Sequence, residues 1–185
     1  MAWNIDATHS QATFSVRHMM IATVRGQFNV LSGQLHIDED NAANSWVEAE
    51  VDASSIDTRD ERRDGHLRSP DFFDVEKYPK IIFKSTKVEH ISGPHYKVLG
   101  DLTIHGVTKP VTFDAEYHGQ LKDLYGLQRS AFTSKTTINR KDFGLNWNAA
   151  LEAGGWAVSD TVNIEIDLAA VQQAPVQKEA VAQQA

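Results

Sequence analysis

From His9 to Arg17 the chain alternates strictly: Ala12, Phe14 and Val16 fall on one parity, Gln11, Thr13, Ser15 and Arg17 on the other. A period of two is the mark of an antiparallel strand with one face buried. The pattern returns at 24–31, with Val24, Phe28 and Val30 on one face, and at 34–37. It returns at 46–53, where Val47, Ala49 and Val51 oppose Glu48 and Glu50. Further runs cover 80–89, 96–104, 111–117, 127–139 and 162–168, and a short strand at 3–6 opens the chain. Turns are expected at Gly93-Pro94 and as a hairpin connection over 105–110, with a turn or short cover at His18-Met19-Met20-Ile21. Eight or nine closely spaced strands without helical crossovers predict an antiparallel barrel or sandwich.

One stretch breaks the rhythm. Thr58 and Glu61 are spaced as a capping box, predicting a helix over Thr58–Leu67. Ser69-Pro70 repeats a helix-start signal. Between them lie four arginines, three acids and His66, and afterwards come Phe72, Phe73, Val75 and Tyr78. A charged helical insertion joined to an aromatic plug suits the mouth of a barrel. No amphipathic helix is available to cover the apolar face of the strands, so the sheet must close on itself. In an eight-stranded barrel the interior holds side chains or one small ligand. Patterning leaves both open, because either buries the same parity.

Composition narrows the function. Hydrophobic residues make up 41% of the 185, enough for a core, and the net charge is −7 with no basic run beyond two residues, which argues against nucleic acid. The chain has no cysteine, excluding disulfides and thiolate chemistry. No apolar run approaches a membrane helix, so no stable membrane insertion is expected. The start, Met-Ala-Trp-Asn-Ile-Asp, shows no secretory signal, and a cytoplasmic protein is the expectation, with a periplasmic or secreted one the alternative if a signal has been removed. The eight histidines have no metal-ligand spacing, and Asp38 and Asp40 begin like a calcium loop that Ala42 and Ala43 then break. Neither a catalytic pair nor an activated nucleophile is legible. The domain is expected to span residues 1–171, followed by a disordered tail over 172–185 with no apolar pattern.

Seven stretches in register carry a family likeness. They are W-N-I-D-A-T-H-S at 3–10, F-S-V-R-H-M at 14–19, G-Q-F-N at 26–29 and R-D-G-H-L-R-S-P-D-F-F at 63–73. Y-P-K-I-I-F at 78–83, G-D-L-T-I-H-G-V-T-K-P-V at 100–111 and I-N-R-K-D-F-G-L at 138–145 complete the set. The chain resembles the YceI-like family of lipocalin-like, polyisoprenoid-binding proteins. The resemblance implies an all-β, eight-stranded antiparallel barrel with one short helical insertion near its mouth, no catalytic cofactor, and a possible homodimer. It also implies a bound polyisoprenoid lipid, such as an isoprenoid quinone or its precursor, held for transport, storage or sequestration. An enzyme acting on such a lipid, and a structural barrel without one, are the alternatives.

On this reading the lumen is lined by Phe14, Val16, Met20, Phe28, Leu67, Phe72, Phe73, Phe83, Phe113, Ala115, Phe132 and Trp147. His66 and Arg68 are the candidates for the lipid head, since an arginine fork matches phosphate or carbonyl oxygens. Against Arg68 stands a plain i,i+4 pair with Asp64.

Overall fold

The structure, a computed structural model, describes residues 2–173. In chain order its strands are β1 Ala2–Ile5, β2 Gln11–His18, β3 Ala22–Phe28, β4 Leu31–His36, β5 Trp46–Asp52 and β6 Ile56–Asp57. Helix α1, Glu61–Arg68, precedes β7 Lys80–Ser92, β8 His95–Ile104, β9 Val107–Lys122, β10 Gln128–Asn139 and β11 Val158–Gln172. Eleven segments make eight staves, because β1/β2, β3/β4 and β5/β6 are each one long strand interrupted once. Every stave pairs antiparallel with its sequence neighbour, and β1 and β2 both pair with β11, which closes the ring. The result is an up-and-down barrel of eight strands.

Each interruption has a local cause. Between β1 and β2 the chain bulges and the Ser10 hydroxyl takes a place in the ladder, donating to Ala169 O at 3.1 Å and accepting from Ala169 N at 3.0 Å. Between β3 and β4, Val30 N donates to the Ser55 hydroxyl and Val30 O accepts from Asp52 N. That break shifts the inward parity by one residue: Phe28 and Leu31 face inward, while Val30, expected inward, is exposed. Between β5 and β6 a 3₁₀ turn, Ala53–Ser55, is capped by the Asp52 carboxylate.

The helix begins later than the capping-box spacing predicts. Asp60 is its cap, accepting from Arg63 N at 3.1 Å. Thr58 is buried instead, and its backbone and hydroxyl both donate to Asp64 Oδ1, at 2.9 and 2.5 Å. Ser69 ends α1 rather than starting a second helix: its hydroxyl donates to His66 O at 2.6 Å. The chain then continues as turns to β7. The hairpin after β8 is also tighter than expected, since His105 and Gly106 both take positive φ and β9 starts at Val107. Two such residues make the turn whose twist matches the flanking strands.

Connections alternate between the two ends of the barrel. One end carries the β2–β3 turn, the insertion 58–79, the β8–β9 turn and segment 140–157; the other carries 37–45, the β7–β8 turn and the β9–β10 turn. A packed cluster sits toward each: Leu102, Ile104, Phe143 and Leu145 with Phe73 near the insertion, and Trp3, Ile5, Leu31, Leu35 and Ala170 toward the far end. Strand β11 runs on to Gln172, and Gln173 N donates to Ala2 O at 3.1 Å. The rest of the predicted tail lies outside the described residues.

Near the seam Asp6 accepts from the Thr8 hydroxyl and N–H, His9 Nδ1 and Arg129 Nη1, at 2.7 to 3.0 Å. These bonds, the Thr8 hydroxyl foremost and against the opposing pull of burial, hold its carboxyl well below the ordinary value of 3.8. A carboxyl lowered on folding contributes stability that is present above its unfolded value and lost as pH falls through its folded one. Asp6→Asn should therefore cost about 1–2 kcal/mol at neutral pH. In urea titrations that gap from wild type should narrow as pH drops below about 4. A gap independent of pH would show that shape, not charge, holds this corner.

Candidate ligand-binding lumen

The parity that faces inward encloses a cavity of about 500 Å³ between the two packed clusters. That falls in the range of small-molecule sites. Its wall is built by every stave: Ala12, Phe14 and Val16 from β2, Val47, Ala49 and Val51 from β5, Val98, Leu102 and Ile104 from β8, Val162, Ile164 and Ile166 from β11. Aromatic rings recur along it. Near the insertion Phe28 meets Phe14 at 5.6 Å between centroids and Phe73 edge-on at 5.8 Å. Phe83 meets Phe113 edge-on at 5.1 Å. Tyr117 stacks on Phe132 at 5.0 Å and contacts Tyr96. Small groups leave room between them; Gly100 is one, since a Cβ there would come within 2.5 Å of the Phe83 ring.

Ten of the twelve lumen candidates lie in this lining: Phe14, Val16, Phe28, Leu67, Phe72, Phe73, Phe83, Phe113, Ala115 and Phe132. Met20 does not. It sits at the β2–β3 turn, 60% exposed, because the turn carries it past the end of the sheet. Trp147 also stands outside the lining, packed on the rings of His66 and Phe72 at 4.7 and 5.3 Å. It backs the wall rather than forming it.

The two head candidates are engaged elsewhere. Arg68 donates to Ser54 O at 2.9 Å and Ile56 O at 3.0 Å, tying α1 to the β5–β6 stave; it makes no pair with Asp64. His66 Nε2 lies 2.9 Å from Asp71 Oδ2. Polar lining groups gather at the far end instead, where His36, Asp38, Glu39, Ser45 and Trp46 border the cavity. There the Tyr117 hydroxyl donates to Glu39 Oε1 at 2.8 Å and Gln120 Nε2 donates to the same oxygen at 3.1 Å. Burial first, and then the Glu39 carboxylate, push the Tyr117 phenol above its ordinary value, so it remains a donor at neutral pH. Sequence reasoning missed this end because 38–45 carries no pattern. Tyr96 and Tyr117, already on the inward parity, were its one legible signal.

Arg140 also borders the lumen, yet its guanidinium is buried and donates to the carbonyls of Leu145, Trp147, Val158 and Ser159. Burial pulls its pKa down and Asp160 partly restores it.

Residues 3–170 match the YceI-like domain. The chain belongs to the YceI-like family. A UPF0312 protein of Vibrio parahaemolyticus is 42% identical over 137 residues, covering 74% of this chain and 72% of the relative. Among solved structures, BcnA of Burkholderia cenocepacia superposes with a TM-score of 0.78 at 25% identity, over 89% of this chain and 98% of BcnA. A polyisoprenoid binding domain from Saccharophagus degradans superposes at 0.64 with 18% identity, over 92% and 98% of the two chains, and shows the shared YceI-like fold.

Proposed function

We propose that this YceI-like protein binds a long-chain polyisoprenoid amphiphile lengthwise in its barrel, for carriage or storage. The observation that carries the reading is the lumen: a cavity walled by aliphatic and aromatic side chains from every stave, with polar lining concentrated at one end. A flexible hydrocarbon gains roughly 0.8 kcal/mol for each CH₂ taken out of water, so a narrow apolar tube holds it without polar recognition. The far end, with Tyr117, Glu39 and Ser45, offers partners for a polar head, whereas Arg68 already gives its Nε and Nη2 to two carbonyls that tie α1 to the wall. The name of the Saccharophagus degradans domain points to the same ligand class, though at its identity the likeness speaks for the fold. A binding role rather than catalysis is supported by how the polar groups of the lining are used. Arg140 is committed to four carbonyls and Tyr117 to Glu39.

Native mass spectrometry of the purified protein, followed by identification of its organic extract, tests the reading. The expected result is a mass excess that an isoprenoid-type lipid accounts for. Protein at its bare mass, which also fails to take up a long-chain isoprenoid quinone from detergent, would refute it.

A further inference from the structure

The lumen does not account for the surface at the insertion end. There the turn between β2 and β3 places Met19 and Met20 at φ 54° and 66°, the left-handed region that β-hairpins of this kind ordinarily fill with asparagine and glycine. The backbone accepts that strain to hold two methionines and Ile21 outward, at 45%, 60% and 84% exposure. A second small hairpin lies against them. Ala150 bridges Trp156, Leu151 N donates to Gly155 O, and Met19 N donates to Ala157 O at 2.8 Å. Met20 rests on Gly155, where an added Cβ would come 3.1 Å from its Sδ. Trp156, 58% exposed, extends the patch. Four large apolar side chains thus stand together beyond the end of the sheet, the arrangement that marks an interaction surface.

Charge says what kind of surface they meet. In a chain of net charge −7, residues 7–37 contain no aspartate or glutamate, and within them Arg17 and Arg25 flank the tip. Both are exposed. Arg17 Nη1 reaches Ile21 O at 3.5 Å, which brings its charge to the base of the apolar tip. Glu152 is the one acid on the neighbouring hairpin, and the insertion at the same end is of mixed charge, with six acids against four arginines and Lys77. The opposite end offers the contrast. Its apolar tip, Leu121, Leu124, Tyr125 and Leu127, is as exposed, but it shares its end with Asp38, Glu39 and Asp40, while Asp123 in its turn is paired with Arg129.

We infer that the insertion end docks on an anionic lipid surface, with Met19, Met20, Ile21 and Trp156 entering the interface and Arg17 and Arg25 facing the headgroups. Tryptophan and apolar side chains beside arginine are what such an interface takes up. Docking there would place Leu67, Phe72 and Phe73, the side chains of the insertion that line the cavity, next to the bilayer. The inference goes beyond the lumen reading and needs no occupant in the barrel.

Flotation with vesicles of phosphatidylcholine and phosphatidylglycerol in equal parts, free of isoprenoid lipid, tests it. Wild type should float with these vesicles and far less with pure phosphatidylcholine. The variant Met20→Ser/Ile21→Ser/Trp156→Ser should lose at least tenfold in partitioning while its thermal melt shows an intact barrel. The pair Arg17→Gln/Arg25→Gln should erase the preference for the anionic vesicles, about fivefold for each arginine. Leu124→Ser/Tyr125→Ser, at the other end, should float like wild type. Failure of wild type to associate with anionic vesicles overturns the inference. So does equal flotation of the tip variant, or a concentration-dependent dimer that the tip variant abolishes without any vesicle binding by wild type, which would give the patch to a second copy. Lipid content in the organic extract is a separate readout, so the two readings fail independently.

Discussion

Arg140→Met is expected to lower the melting temperature by about 10 °C. Arg140 is 3% exposed, and its guanidinium donors hold the carbonyls of Leu145, Trp147, Val158 and Ser159 at 2.5 to 3.3 Å. Leu145 and Trp147 belong to segment 140–157, which crosses one end of the barrel with little ladder of its own, and Val158 and Ser159 open β11, so the arginine ties the segment to the strand. Methionine keeps the volume of the stem but leaves those oxygens without a donor. Unsatisfied buried groups of this kind cost about 1–3 kcal/mol each, and relaxation of the segment recovers part, for a net loss of about 3–5 kcal/mol. A domain of this size shifts by roughly 2–4 °C per kcal/mol. Asp160, at 3.7 Å and 45% exposed, adds little. Arg140→Lys should rescue only in part, since an ammonium lacks the planar fork that reaches several carbonyls at once. A melting temperature within 2 °C of wild type for Arg140→Met would mean that the segment is held by its packing alone.

Ala115→Trp should empty the lumen of lipid with little harm to the fold. Ala115 lies on β9 opposite Tyr96 of β8 and Ser134 of β10, and faces the cavity midway between Phe113 and Tyr117. In a solid core an added indole would overpack, costing about 1–3 kcal/mol or more. In a lumen that holds a flexible chain the indole takes space the chain would fill. Extractable lipid should fall at least fivefold and the melting temperature by no more than a few degrees. Thr112→Trp, exposed on the same strand, is the control and should change neither. Unfolding of Ala115→Trp together with lipid-free wild type would remove the carrier reading.

The barrel was legible because its signal is local and repeated. Alternation along β2, β5, β8 and β9 assigns Phe14, Val47, Val98 and Phe113 to the inside without any tertiary information. Where the structure departs from that reading, a tertiary contact decides. Val30 points outward because Ser55 and Asp52, distant in sequence, bond its backbone and shift the parity. Thr58 gives up its capping role because burial beside Asp64 and Arg63 uses its hydroxyl, leaving Asp60 to cap. The site divides the same way. Aromatic residues on strands were found by parity, while Met20 and Trp147 lie in turns, where parity has no meaning. The polar far end left only Tyr96 and Tyr117 as a trace, because Glu39 reaches Tyr117 and Gln120 across some eighty residues of chain.

The three interruptions also make the wall mechanically uneven. From β7 to β11 the staves are unbroken strands joined by long ladders, though these contain bulges. The staves from β1 to β6 are each cut once, and at the cuts the links pass through the Ser10 and Ser55 hydroxyls and the Asp52 carboxylate. Side-chain links of this kind change partners more readily than a ladder, because rotating one χ angle frees them without moving the strand. Five of the eight staves therefore form the stiffer part of the wall and three the more yielding one. The insertion joins the two parts, between β6 and β7. The amides of β1 to β6 should therefore exchange with solvent before those of β7 to β11.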